Sequence, residues 1–125
     1  MFALLALFAC GGAPQPEPVG AAAPLPACTG VGDVAQGRFR VLAATWQPAS
    51  SDEQAGDCGN PHYELSLAYQ REEGACRLVA GRSASPEVVA MTDAARAEHL
   101  TQLVGKEFVG NHTIAQCWNE VGGDW

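Results

Sequence analysis

Basic residues are scarce in this chain: 7 Lys and Arg stand against 14 Asp and Glu, which gives a formal net charge of −7. Proteins that bind nucleic acid through its phosphates need a basic surface. Binding to anionic lipid headgroups by charge alone has the same requirement. We therefore expect no nucleic-acid partner, and any attachment to a membrane must come from another source.

Long apolar runs are also missing, since a membrane-spanning helix needs about 20 apolar residues and residues 1–9 form only a short run. That length is typical of the apolar region of a signal peptide. The run ends at Cys10, and Leu7-Phe8-Ala9-Cys10 resembles the lipobox of bacterial lipoproteins, although Phe8 is larger than the usual residue. The resemblance implies that residues 1–9 are a signal peptide, that Cys10 is lipidated and that the chain is anchored to a membrane.

The start of the chain departs from a complete signal peptide, because no Lys or Arg precedes the apolar run. We expect the true start to lie upstream; the alternative is an apolar N-terminus of a soluble protein. Gly11 follows Cys10 where an inner-membrane lipoprotein usually has Asp, so the predicted location is the outer membrane of the bacterial cell envelope. Residues 10–27 are rich in Pro and Ala, which predicts an extended tether. Residues 28–125 are then one domain.

Cys-x-x-Cys spacing is absent as well, which gives no indication of a zinc ribbon or a thiol oxidoreductase. The chain has five cysteines, and lipidation of Cys10 leaves Cys28, Cys58, Cys76 and Cys117. Two disulfides are expected in the oxidising envelope. Three connectivities exist and spacing does not choose among them. We favour Cys58–Cys117 and Cys28–Cys76, which tie loops to neighbouring strand ends. No metal or cofactor site is predicted.

Alternating apolar residues predict strands at residues 38–46, 62–70 and 76–80. In the first strand, Phe39, Val41, Ala43 and Thr45 share one face. Residues 71–74 form a charged turn that ends in Gly74, which is typical of a hairpin. A long loop, residues 47–61, separates the first two strands.

Ser85-Pro86-Glu87 predicts the start of a helix over residues 86–104, with Arg96 among its solvated positions. In the alternative, Thr92 caps a shorter helix. A turn at Gly110-Asn111 and a last strand at residues 113–119 follow. The predicted fold is α+β: a small antiparallel sheet in the order β-β-β-α-β with one packed helix, stapled by disulfides.

The same pieces resemble DUF3592, a bacterial domain family of unknown function. The matching segments are residues 63–69, 72–74, 94–97, 104–105 and Cys117-Trp118-Asn119. The resemblance implies the β-β-β-α-β order and no catalytic residues.

Candidate chemistry is limited to one pair, His62 and Glu64, which share a face of the clearest strand and resemble a base with its orienting carboxylate. The alternative is a solvated strand face. His112 and Cys117 suggest zinc ligands, but disulfide formation by Cys117 would abolish that site.

Few aromatic residues are present, and Trp46, Trp118 and Trp125 all lie near predicted element ends. They form an expected platform for an envelope protein or a glycan, unless they cover the core instead. The sequence therefore predicts a lipid-anchored binding or structural module that is not an enzyme. The alternative function is a small envelope hydrolase that uses His62 and Glu64.

Overall fold

The structure is a computed structural model, and it describes residues 24–123. Over this range the alternation of apolar and polar residues gives five strands and several short helices. The strands are β1 (Val34–Gln47), β2 (His62–Gln70), β3 (Cys76–Ser83), β4 (Glu107–Thr113) and β5 (Glu120–Gly123). The helices are α1 (Pro86–Val89) and α2 (Asp93–Leu103). A 3-10 helix, Glu53–Gly59, lies in the loop between β1 and β2.

The five strands close into one mixed barrel in the order β1-β2-β3-β5-β4, and β4 pairs back onto β1. Neighbouring strands are antiparallel, except that β3 and β5 run parallel. The predicted α+β fold with a β-β-β-α-β antiparallel sheet is therefore wrong. The prediction failed for a physical reason. The barrel closes through pairing between strands that are far apart in sequence, and the local alternation of residues carries no information about such pairs.

Closure depends on β1, whose 14 residues serve two neighbouring strands. Residues 34–40 pair with β4 and residues 38–47 pair with β2, so residues 38–40 have partners on both sides. A strand that passes from one part of a barrel to another must bend, and β-bulges supply such bends. β1 has two of these irregularities, one between Val34 and Gly37 and one between Val41 and Ala43.

The second bulge reverses the faces of β1. Phe39 and Val41 are buried, but Ala43 and Thr45, predicted to share their face, are exposed, and Trp46 packs against the core. Side chains of a strand alternate with a period of two, so one extra residue moves every later side chain to the opposite face. The predicted face is right as far as Val41 and wrong beyond it.

Two helices replace the single helix predicted over residues 86–104. Ser85 and Thr92 each cap one of them, because the side-chain oxygen accepts a hydrogen bond from the backbone N–H three residues ahead. The break agrees with the alternative in which Thr92 caps a shorter helix. α2 then buries Leu100 and Leu103 against the end of the barrel.

Arg96 joins the two helices and is buried, with 8% of its surface exposed, although the sequence pattern places it among solvated positions. Its guanidinium donates hydrogen bonds of 2.7–3.1 Å to three backbone carbonyls at the end of α1, those of Val88, Val89 and Met91. It also forms an ion pair with Asp93 at 3.0 Å and lies over the ring of Trp46, 4.5 Å from its centroid. A side chain of α2 thus supplies a donor to the carbonyls of Val89 and Met91, and a further donor to that of Val88, which also accepts from the backbone N–H of Met91.

Gly110 lies in the middle of β4, where a turn with Asn111 was predicted. It pairs with Gly123 of β5, and a Cβ at this position would collide with the carbonyl oxygen of Gly122. Glycine is therefore needed here because β4 and β5 lie very close together, and not because the chain turns. The strand predicted at residues 113–119 is also wrong, because residues 114–119 form the loop between β4 and β5.

Two disulfides join distant parts of the chain, and they are the two pairs favoured from the sequence. Cys28–Cys76 ties the segment before β1 to the start of β3, with which residues 26–28 also form backbone hydrogen bonds. Cys58–Cys117 joins the β1–β2 loop to the β4–β5 loop. Both bonds therefore fix loops and terminal segments on the barrel.

A three-stranded meander, helices between the third and fourth strands, and a five-stranded barrel in this strand order together define the topology of the OB-fold, a Greek-key barrel. Within residues 24–123, no helix has the length and apolar character needed to cross a membrane.

Candidate functional site

A groove of about 790 Å³ lies on the outer face of β1, β2 and β3. The strand register fixes its floor, because Arg40 pairs with Ala68 and Ala68 pairs with Arg77. A small residue thus lies between two arginines, and Ala68 is only 7% exposed. Arg38 precedes Arg40 by two residues and therefore shares its face.

Three of the chain's 7 cationic side chains line this groove, namely those of Arg38, Arg40 and Arg77. All three residues are exposed, and none forms an ion pair or side-chain hydrogen bond within residues 24–123. Glu107 lies across from Arg40 on β4 without forming an ion pair with it. The groove is therefore a local positive region on an acidic chain.

The spacing of these arginines suits a multivalent anion. Neighbouring strands lie about 4.8 Å apart, so the Cα atoms of Arg40 and Arg77 are separated by roughly 10 Å, and those of Arg38 and Arg40 by about 7 Å. Long, flexible side chains can close on one ligand from these positions. Each planar guanidinium can donate two parallel hydrogen bonds to a carboxylate or a phosphate.

One wall of the groove comes from the segment before β1. Pro24 and Leu25 line the groove, and the Cys28–Cys76 disulfide holds this segment against β3. Leu42, which the bulge leaves without a partner on β2, adds apolar surface. The groove is thus framed by a covalently fixed segment and an exposed leucine.

Trp118 lies at the far end of the same outer face. Its ring covers Gly81 of β3, where any Cβ would collide with it. It also stacks on His62 of β2, with ring centroids 3.7 Å apart and planes within 7°. Because Cys117 is bonded to Cys58, the β1–β2 and β4–β5 loops hold this ring in place together.

His62 and Glu64, the pair nominated for a hydrolase, share the outer face of β2. Within the described residues no hydrogen bond joins them. Nδ1 of His62 lies 3.0 Å from the carbonyl oxygen of Asn60, and its ring lies against Trp118. The geometry gives His62 a role in holding loops, and the hydrolase hypothesis stays a prediction.

Trp46 and Trp118, predicted to form one platform with Trp125, lie on opposite faces of the sheet. Trp46 packs inward, edge-on to Tyr63 at a centroid distance of 5.9 Å, whereas Trp118 covers the outer face. Trp125 and the predicted lipidation site Cys10 lie outside the described residues. Of the tryptophans within residues 24–123, only Trp118 therefore lies on the face that carries the groove.

His112 and Cys117, weighed as zinc ligands, have other partners. His112 is 1% exposed inside the barrel, and its Nδ1 lies 2.9 Å from the carbonyl oxygen of Gly32. Cys117 is in a disulfide. Among residues 24–123 no group of three or more His, Cys, Asp or Glu is arranged to hold a metal ion.

A second cavity of about 540 Å³ lies where α1 and α2 cover the end of the barrel. Tyr63 and Arg82 are cross-strand partners there. Burial raises the pKa of the Tyr63 phenol, and the nearby Arg82 and Arg96 cations oppose that shift. Burial also lowers the pKa of Arg82, against the opposing effects of Tyr63 and Glu120. Both shifts reflect how closely the helices cover this end.

None of the groove arginines was identified as a site from the sequence. Alternation puts Arg38 and Arg40 on the face of the first predicted strand opposite Phe39 and Val41, and Arg77 lies in the third predicted strand. The sequence did carry one signal: arginine is scarce in this chain, yet three arginines fall in the first and third predicted strands. That signal becomes a site only when the register sets Arg40 and Arg77 on either side of Ala68.

Comparison of the chain with protein-family models, with curated proteins and with solved structures finds no match. The resemblance to DUF3592 gains no support from these comparisons, and the function must be argued from the groove itself.

Proposed function

We propose that this chain is a lipid-anchored protein of the bacterial cell envelope, held in the outer membrane through Cys10. Its barrel binds an anionic partner and catalyses no reaction. The observation that carries the binding proposal is the grouping of Arg38, Arg40 and Arg77 around Ala68, without an acidic partner among residues 24–123.

This grouping has an electrostatic cost in the free protein. Two unit charges separated by the Cα spacing of Arg38 and Arg40, about 7 Å, would repel by roughly 0.6 kcal/mol in water, and by more near a protein surface. The fold does not need these charges, because all three side chains are exposed and satisfy no buried group. An anion that contacts all three would remove the repulsion, so the arrangement favours binding.

The fold supports the same face by analogy. In OB-fold proteins the outer face of strands 2 and 3, flanked by the loops between strands 1 and 2 and strands 4 and 5, binds oligonucleotides or oligosaccharides. The groove lies on that face, and the Cys58–Cys117 disulfide joins those two loops. A fold by itself does not establish a function, so the arginines remain the main support.

The binding proposal is tested by titrating the full chain with inorganic pyrophosphate in a calorimeter at low ionic strength. We expect Arg40→Ala/Arg77→Ala to weaken binding at least about tenfold, because each lost charge-assisted hydrogen bond contributes roughly 1.5–3 kcal/mol. Glu107→Gln should strengthen binding, since it removes the only carboxylate that lines the groove within residues 24–123.

Arg71→Ala/Lys106→Ala is the matched control, because it removes two cations that do not line the groove. It should leave the affinity unchanged. Equal affinities for the two double variants, or no binding by the unmodified protein, would show that the groove is not an anion site.

The anchor is tested with Cys10→Ser in a bacterium that expresses the chain with a complete signal peptide. The unmodified protein should partition into detergent and carry the mass of acyl chains on a mature N-terminus. Each buried CH₂ contributes about 0.8 kcal/mol, so two or three chains hold the protein firmly. Cys10→Ser should leave the leader uncleaved and unacylated, whereas Gly11→Ala should behave as the unmodified protein. If the protein without substitutions has the mass of an unacylated chain, the proposed lipid anchor is wrong.

A further inference from the structure

We infer that the anionic partner is a glycan chain with a single acidic group at one end, bound with its acid among the arginines and its neutral sugars directed toward Trp118. This inference rests on the proposed function, because it names the ligand of the same groove. It follows from the length of the face, the distribution of charge along it and the character of its neutral part.

The length of the face comes from β2. Its 9 residues span about 27 Å at the usual rise of a strand. Outward positions run from Gln70, beside the arginines, to His62, beneath Trp118. A small anion would use only the first third of this face, whereas a chain of several sugars could extend along all of it.

The charge along the face is not uniform. Arg40 and Arg77 stand at one end, the next outward pair is Ser66 with Val79, and Glu64 follows. A nucleic acid carries a phosphate at every nucleotide and requires cations along its whole length. Glu64 would repel such a chain. The ligand must therefore be anionic at one end and neutral beyond it.

A peptide strand fits this surface poorly. Peptides often bind a sheet by adding a strand to a free edge. One edge of β3 is bonded to β2, and the other edge is taken near its start by residues 26–28 and near its end by β5. The remaining stretch is too short to accept an added strand.

The neutral part of the face has the groups that neutral sugars contact. Val79 is 48% exposed and offers apolar surface for C–H groups. The exposed Glu64 carboxylate and the Ser66 hydroxyl can accept hydrogen bonds from sugar hydroxyls. Trp118, still partly exposed, forms an aromatic boundary at the end. Aromatic rings combine a large apolar area with little loss of conformational freedom on binding.

The experiment measures the affinity of the full chain for xylo-oligosaccharides of two to five sugars, with and without one glucuronic acid cap. We expect no binding of the uncapped series. The capped series should bind about tenfold more tightly at five sugars than at two, equivalent to ~1.4 kcal/mol. Arg40→Ala should weaken every capped length.

Two variants test the neutral part separately. Trp118→Ala and Val79→Gln should each remove the gain with length and leave the shortest capped sugar unchanged. Val79 lies in β3 and not in a loop, so Val79→Gln retains the test if Trp118→Ala unfolds the chain. Ile114→Ala is the matched control, because this residue is exposed in the same loop and lies outside the groove.

The outcomes separate this inference from the proposed function. If affinity does not change with length while pyrophosphate still binds, the groove accepts a compact anion and the inference fails alone. If hexagalacturonate or oligothymidylate binds more tightly than the capped pentamer, the ligand is charged along its length and the inference also fails. If pyrophosphate does not bind, both proposals fail.

Discussion

Replacing Arg96 with alanine is expected to lower the free energy of unfolding by about 3–5 kcal/mol, because the buried guanidinium donates three backbone hydrogen bonds and a hydrogen bond to a charged group contributes roughly 1.5–3 kcal/mol. The change removes the Arg96 donor from the carbonyls of Val89 and Met91, takes one of several donors from that of Val88, and uncovers one face of Trp46. Unsatisfied buried polar groups cost roughly 1–3 kcal/mol each. Arg96→Lys should lose most of the same stability, because one ammonium cannot reproduce the planar fork of donors.

Chemical denaturation followed by circular dichroism measures this loss. Arg71→Ala is the matched control, because within residues 24–123 the Arg71 side chain makes a single hydrogen bond, from Nε to the carbonyl oxygen of Gly74 at 3.2 Å. That variant should lose no more than about 1 kcal/mol. Similar losses for the Arg96 and Arg71 variants would mean that the junction of the helices does not depend on the guanidinium.

Replacing Cys58 and Cys117 together by serine is expected to destabilise the protein by about 4 kcal/mol. The bond closes a loop with a sequence separation of 59, and the chain-entropy model gives that magnitude for such a loop. The loss has a second consequence, because Trp118 is then held only by its contacts with His62 and Gly81. We therefore expect looser packing of this ring as well as lower stability.

Denaturation with and without reductant, together with acrylamide quenching of tryptophan fluorescence, separates the two effects. The matched control replaces Cys28 and Cys76 by serine. The disulfide between these two residues closes a loop of similar sequence separation, 48, but lies away from Trp118. Both double variants should lose stability, and only the Cys58/Cys117 variant should show increased quenching in the folded state. An unchanged denaturation midpoint for that variant contradicts the assigned role of the bond.

Local features of the fold were predictable where one residue pattern determines one structure. The alternation at residues 62–70 matches β2, and the Ser85-Pro86 cap marks the start of α1. The errors occur where tertiary contacts decide. No local signal marks the bulge after Val41, and Gly110 has the composition of a turn although it serves the contact of β4 with β5.

The candidate site was less predictable than the fold. Trp118 was predicted to be a binding residue together with Trp46, but Trp46 faces the core because of the bulge in β1. Arg77 carried no signal of its own, since one exposed arginine on a strand is ordinary. Its meaning depends on the register of three strands, which a single sequence does not specify.

Because β1 pairs with both β2 and β4, it also determines the order in which the barrel can fold. A chain that emerges N-terminus first can form the meander of β1, β2 and β3 early, but one edge of β1 stays open until β4 arrives. Open strand edges recruit other chains, so this interval is the one most exposed to aggregation. Contacts between distant residues also slow folding. Truncation anywhere before β4 should consequently yield insoluble material, not a smaller stable domain.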